Sequence, residues 1–147
     1  MYPKYTSFDK KKVRDKVGRT VEATDKSIFI FDEAGFSRVC QAILSMEGFD
    51  AFAEADPSAF FRLLSGGRAG LVITSYPFGG PILERMKGLD MPVIVLSDQI
   101  NGELLAALDG LKNSCCLLKP LDYRTFKNLV RHFFLSPFPA PPGYRIM

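Results

Sequence analysis

The chain has 147 residues, 47% hydrophobic and 24% charged, with a formal net charge of +3. That length suits one core and excludes two ordinary domains. No apolar run reaches the roughly 20 residues that cross a bilayer, and MYPKYTSFDKKK lacks the apolar centre of a secretory signal, so a cytoplasmic protein with no membrane partner is expected.

The charge is uneven along the sequence. Residues 1–26 hold eight Lys or Arg against four Asp or Glu, which leaves the rest of the chain slightly negative. The run KKKVRDKVGR at 10–19 could meet phosphate or carboxylate groups. Without interleaved aromatics or a groove-reading motif it reads as a solvated, flexible arm, and any nucleic-acid contact is confined to it.

SIFIF, Ser27 to Phe31, is a buried strand. Phe36, Val39, Cys40, Ile43 and Leu44 then recur at helical spacing, and Gly48 ends that helix. FDAFAEA is a less apolar edge strand. DPSAFFRLLSGG opens a helix with Asp56 as N-cap and Pro57 at its first position; Phe60 and Phe61 belong to its core and rim. LVITS is a third strand and PILERMKG a short helix. PVIVLS, Pro92 to Ser97, has the unbroken apolar character of a central parallel strand. Leu104, Leu105, Leu108 and Leu111 form the next helical stripe, CCLL is a fifth strand, and DYRTFKNLVRHFF is a final helix capped by Asp122. The Pro-rich segment SPFPAPPGYRIM cannot continue that helix. The expected organisation is a tail at 1–26, a domain at 27–134 and a tail at 135–147.

Strict strand–helix alternation argues for a three-layer α/β domain with a parallel sheet and right-handed crossovers. Cys40, Cys115 and Cys116 lie in apolar stretches and are expected to be buried, reduced thiols. His132 stands alone, so no Cys/His metal site is expected.

In such a sheet, chemistry gathers beyond the carboxyl ends of the strands. Those ends carry Asp32 and Glu33, Ser75, Ser97, and Lys119 with Pro120. The segments IFIFDEAG, PVIVLS and CCLLKPLDYRTF, with the 22-residue interval between Ser97 and Lys119, resemble the receiver domain of bacterial two-component response regulators over residues 27–134. The resemblance implies a doubly wound (βα)5 flavodoxin-like fold with strand order 2-1-3-4-5. It also implies that Asp32 and Glu33 match the magnesium-binding acids, Ser97 the hydroxyl residue, and Lys119–Pro120 the lysine–proline pair.

Two positions depart from the family pattern. The phosphoacceptor aspartate is replaced by Ser75, followed by an unusual loop, YPFGG, and the aromatic switch position falls on Cys116. Aspartyl phosphorylation needs an ionised carboxylate and a divalent ion, and a serine hydroxyl supplies neither charge nor strong metal ligation. The expected function is therefore that of a pseudo-receiver, a non-enzymatic module for phosphorylation-independent protein–protein contact in signal transduction. It is expected to need no cofactor and to bind magnesium weakly at best through Asp32 and Glu33. Lys119 is expected to lie against Asp32 as an internal counter-charge, with Ser75 and Ser97 donating hydrogen bonds.

By the same resemblance, a signalling partner or a second copy would dock on the fourth helix, fifth strand and fifth helix, where Tyr123, Lys127 and Arg131 are candidates. With no output domain in the sequence, any signal is expected to leave through such contacts. Two alternatives remain open: an active receiver using another acceptor such as Asp98, which also reads as a helix N-cap, and a flavodoxin-like ligand binder using YPFGG.

Overall fold

A computed structural model describes residues 12–14, 20–22, 26–135 and 143–146. In chain order the elements are β1 (Lys12–Arg14), β2 (Thr20–Glu22), β3 (Ser27–Phe31), α1 (Ala34–Met46), β4 (Ala51–Glu54), α2 (Pro57–Ser65), β5 (Ala69–Tyr76), α3 (Gly80–Met86), β6 (Val93–Ser97), α4 (Gly102–Leu108), β7 (Asn113–Leu118), α5 (Tyr123–Leu135) and β8 (Gly143–Ile146).

The main sheet runs β4-β3-β5-β6-β7-β8, every pair parallel. Counted from β3 this is the expected 2-1-3-4-5 order with a sixth strand added. Side chains alternate across the pleat, so each strand feeds two cores. Phe29, Phe31, Val72, Val93, Val95 and Cys116 pack against Phe60 of α2, Ile82, Leu83 and Met86 of α3, and Leu104 and Leu108 of α4. Ile28, Ile30, Leu71, Ile73, Ile94 and Leu96 face the opposite layer, formed by Cys40 and Leu44 of α1 with Phe126 and Val130 of α5. β6 is buried along its whole length, as its unbroken apolar run requires.

The caps follow the sequence. Asp56 accepts a hydrogen bond from Ala59 N at 2.8 Å, with Pro57 at the first helical position. Asp122 accepts from Arg124 N at 3.0 Å and from Thr125 Oγ1 at 3.0 Å, bonds that hold its carboxyl below the usual range. Gly48, at φ 94°, ends α1 in the left-handed region that glycine enters without steric cost. Asp56→Ala should cost about 1 kcal/mol of stability, read as a lower denaturant midpoint at unchanged slope.

Within the helical stripes, Val39 is 47% exposed, and the small Ser37 takes the buried place beside Cys40 and Leu44. Ser37 Oγ donates to Ala34 O, so the helix itself satisfies its hydroxyl. Leu105 lies at the surface of α4, while Leu111 is buried just beyond that helix.

Both tails carry structure that the sequence reading missed. Lys12–Arg14 pairs antiparallel with Thr20–Glu22, placing Val13 opposite Val21, so the basic arm contains a short ribbon. The signal was present: each of K-V-R and T-V-E alternates polar and β-branched residues at period two. Gly143–Ile146 is a sixth strand within the expected 135–147 tail, and Ile146 packs into the α2–α4 core. Alternation of Tyr144 and Ile146 with Arg145 allows it, and the β7 edge offers unpaired backbone groups. The other expectations for residues 1–25 and 136–147 fall on residues outside those described. Among the described residues, no helix is long and apolar enough to cross a membrane.

Candidate functional site

The carboxyl ends of β3, β5, β6 and β7 meet at one rim of the sheet. Asp32 follows β3 directly and is 3% exposed, whereas Glu33, one residue on, is exposed and precedes α1 without making a side-chain cap. Ser75, near the end of β5, is 5% exposed. Its Oγ donates to Asp32 Oδ1 at 2.8 Å, and Glu33 N donates to the same oxygen at 2.8 Å. Asp32 Oδ2 is buried with no hydrogen-bond partner.

The neighbouring Thr74 points to the other layer and donates from Oγ1 to Phe31 O at 2.7 Å, tying the end of β5 to β3. The YPFGG loop then turns back on the strand. Gly79 N donates to Ser75 O at 2.6 Å and Gly80 N to Pro77 O at 3.0 Å, and the Phe78 ring lies 5.0 Å from that of Phe31. The Tyr76–Pro77 and Lys119–Pro120 peptides are both cis.

The remaining site residues approach the rim differently from the sequence expectation. Lys119 N donates to Ser97 O at 2.8 Å, which fixes the start of its loop. Its ammonium lies 5.3 Å from the centre of the Phe36 ring, within cation–π range. The Asp32 carboxylate takes its hydrogen bonds from Ser75 and Glu33 N, so the expected Asp32–Lys119 ion pair is replaced by an alcohol–carboxylate bond on one side and an ammonium over an aromatic face on the other. Lys119 still acts at longer range. Burial pushes the Cys40 thiol up to about 12, the Asp32 charge adds to that rise, and the Lys119 charge opposes it. Burial likewise raises Cys116 to about 11, so both are inert packing thiols, and all three cysteines are buried.

Ser97 does not join the Asp32–Ser75 bond. It pairs in register with Tyr76, one step beyond Ser75, and its Oγ donates to Gln99 O at 2.9 Å. Asp98 is exposed, and the cap of α4 is Asn101, whose Oδ1 accepts from Leu104 N at 2.8 Å; this corrects the N-cap reading of Asp98.

The rim is a poor fit for a magnesium ion. Magnesium demands near-octahedral geometry, keeps several waters and is held by one or two well-placed carboxylates. Here one Asp32 oxygen is committed to Ser75, Glu33 is turned to the surface, and the third position is an alcohol. Among the described residues, no cluster of three or more metal-ligating side chains occurs.

On the proposed docking face, Tyr123 is 39% exposed, together with Ile100, Leu105 and Leu118 from the same end of the sheet. Lys127 is half-buried. Arg131 is not presented to a partner: its guanidinium bonds Glu47 at the end of α1 and Asn128 Oδ1, and its side chain is 14% exposed. The sequence reading missed Phe36 as the platform for Lys119 and Gly79 as the contact that lets the loop close. The helical stripe absorbed the first, and a glycine pair after a strand was the available signal for the second.

No protein-family model matches the sequence, and neither does any curated protein. Solved structures do match. A signal receiver domain of a two-component signal-transduction histidine kinase from Clostridium thermocellum is 19% identical, with a TM-score of 0.59, covering 75% of this chain and 98% of that one. A CheY-like response regulator receiver domain from Methylobacillus flagellatus is 15% identical, with a TM-score of 0.57 and 74% and 98% coverage. A response regulator receiver domain protein from Clostridium thermocellum is 21% identical, with a TM-score of 0.56 and 75% and 91% coverage. At these identities the likeness identifies the fold, which is that of receiver domains.

Proposed function

We propose that this chain is a receiver-type signalling module that works through protein–protein contact and accepts no phosphoryl group. The observation that carries the reading is the buried bond from Ser75 Oγ to Asp32 Oδ1. Where a receiver would need an anionic nucleophile, this rim has a neutral alcohol whose proton is already engaged. An uncharged serine must give up its proton to attack phosphorus, and the group placed to take it, Asp32, is the same carboxylate that would have to hold the cation. The poor fit for magnesium supports the same conclusion, because phosphoryl transfer relies on a cation to neutralise the transferred oxygens.

Contact with a signalling partner is supported by the exposed apolar side chains at the α4, β7 and α5 end, Ile100, Leu105, Leu118 and Tyr123. Apolar side chains of this kind mark an interaction surface where they join into one contiguous patch. Lys127 lies on the same helix as Tyr123 and would add charge at the rim of that surface.

Incubation with acetyl phosphate and magnesium should leave the intact mass unchanged, and beryllofluoride with magnesium should leave the amide NMR spectrum unchanged. A covalent phosphate on any residue, Asp98 included, would overturn this reading.

A further inference from the structure

The solvent side of α1 is less polar than an exposed helix face ordinarily is. Val39 is 47% and Met46 83% exposed, Gly35 and Ala42 are exposed as well, and Ile43 is half-buried beside them. Residues 35, 39, 42 and 46 follow at alternating steps of four and three, so they form a single row along the helix. At the helical rise the row is about 17 Å long. Arg38 is the only charged residue within Ala34–Met46. The other helix of this layer, α5, instead exposes Arg124, Asn128 and His132.

Nothing within the chain calls for a glycine in this row. The φ of Gly35 is not in the left-handed region, and a Cβ there would meet no atom within 4 Å. Glycine is a poorer helix residue than alanine, so the open space above Gly35 serves an approach from outside. The row also complements itself. When two copies of α1 lie antiparallel about a two-fold axis between Val39 and Ala42, Met46 of each covers Gly35 of the other, and Val39 covers Ala42. A large side chain then meets a small one in every pair, as close packing requires. Each Arg38 stands about 7.5 Å along the axis from its counterpart, level with Ile43 of the other copy, so the like charges do not meet. The helix ends match too. α1 has no acidic residue in its first turn and no basic residue in its last, and an antiparallel neighbour brings opposite macrodipole ends together.

We propose that the outer face of α1 is a self-association surface, whose occupant is the same face of a second copy in an antiparallel two-fold pair. The alternation of large and small along the row selects this occupant, because the shape that fits it is its own, reversed. A seam built on one short helix belongs with the small, transient class of interfaces, so the pair forms with rising concentration and separates on dilution. The surface is separate from the exposed apolar residues of α4, β7 and Tyr123, and the pairing stands independently of the phosphoryl chemistry at the rim.

The test is the solution mass of the full chain over a concentration series, by light scattering or sedimentation. The mass should rise from one chain towards two. Met46→Glu and Gly35→Leu should each hold it at one chain, with a melting temperature no lower than the parent's, since Met46 is 83% exposed and the space over Gly35 is empty. Tyr123→Ala, on the other exposed surface, should leave the series unchanged. For the register, Val39→Cys and Ala42→Cys chains of different size are mixed and oxidised, the native thiols being buried. The mixed disulfide should form ahead of either like pair. A parent with the mass of one chain at every concentration would overturn the self-pairing and leave a helix of another protein as the occupant. A dimer that survives both α1 substitutions, or that is lost in Tyr123→Ala instead, would overturn it too, and like pairs in place of the mixed disulfide would overturn the antiparallel arrangement.

Discussion

Ser75→Asp should lower the stability of the metal-free protein by about 4 kcal/mol, and millimolar magnesium should restore much of the loss. The new carboxylate would stand where Ser75 Oγ now donates to Asp32 Oδ1, at 2.8 Å, in a site where Asp32 is 3% exposed. Two like charges about 4 Å apart at an effective dielectric of 20 repel by about 4 kcal/mol, and the substitution also removes the only side-chain donor to that carboxylate among the described residues. For a chain of this length the melting temperature should fall on the order of 10 °C. The repulsion exists only while both groups are ionised. One of the pair would have its folded pKa raised, so the loss should be full near neutral pH and shrink as the solution is acidified through that pKa. Ser75→Asn separates charge from size: it keeps the added volume without the second charge and should lose much less, with no response to magnesium. A metal-free Ser75→Asp protein as stable as the parent would show that Asp32 is not the confined anion described above.

The second large effect is expected at Gly79. A Cβ there would fall on Thr74 Oγ1 and 2.7 Å from Ser75 O. Its φ of −90° suits any residue, so the requirement is for space and not for conformational freedom. The Ser75 carbonyl belongs to a central strand and cannot yield without disturbing its partners on both sides, so Gly79→Ala should cost about 3 kcal/mol in chemical denaturation. Gly80→Ala, whose added carbon would meet its nearest neighbour at 3.7 Å, should be nearly neutral. Thr74→Ala removes one of the two obstructions at the expense of the bond to Phe31 O, about 1 kcal/mol. Combined with Gly79→Ala it should cost less than the two single losses added together, the sign of coupling through a shared contact. Strict additivity would mean that the loop rearranges away from β5.

The strands and most helix boundaries were legible because they rest on local signals, whereas the strand order came from the resemblance. SIFIF and PVIVLS are apolar without interruption, and Asp56–Pro57 and Asp122 mark helix starts by hydrogen bonds made within four residues. The ends of the chain were less legible for a physical reason. Lys12–Arg14 and Gly143–Ile146 are three- and four-residue strands whose stability comes from a partner strand and not from their own composition, and the prolines before Gly143 hid the pairing that follows them. At the site, the residues gathered by the rim were foreseen from the resemblance, but their bonds were not. Whether a lysine faces a carboxylate or an aromatic ring depends on side-chain geometry across elements, and Lys119 lies far in sequence from both Asp32 and Phe36. Arg131 was misread for the same reason: its helical position suggests the surface, while Glu47, 84 residues away, draws it in.

The pleat that splits the interior into two packed layers also divides the rim. Thr74 and Ser75 are adjacent in sequence, yet one is anchored on the side of α2, α3 and α4 and the other on the side of α1 and α5. The Asp32–Ser75 pair therefore lies on the α1 and α5 side of the sheet, while α4 packs on the opposite face. A partner that senses this end of the molecule would read the two helical coats as separate channels.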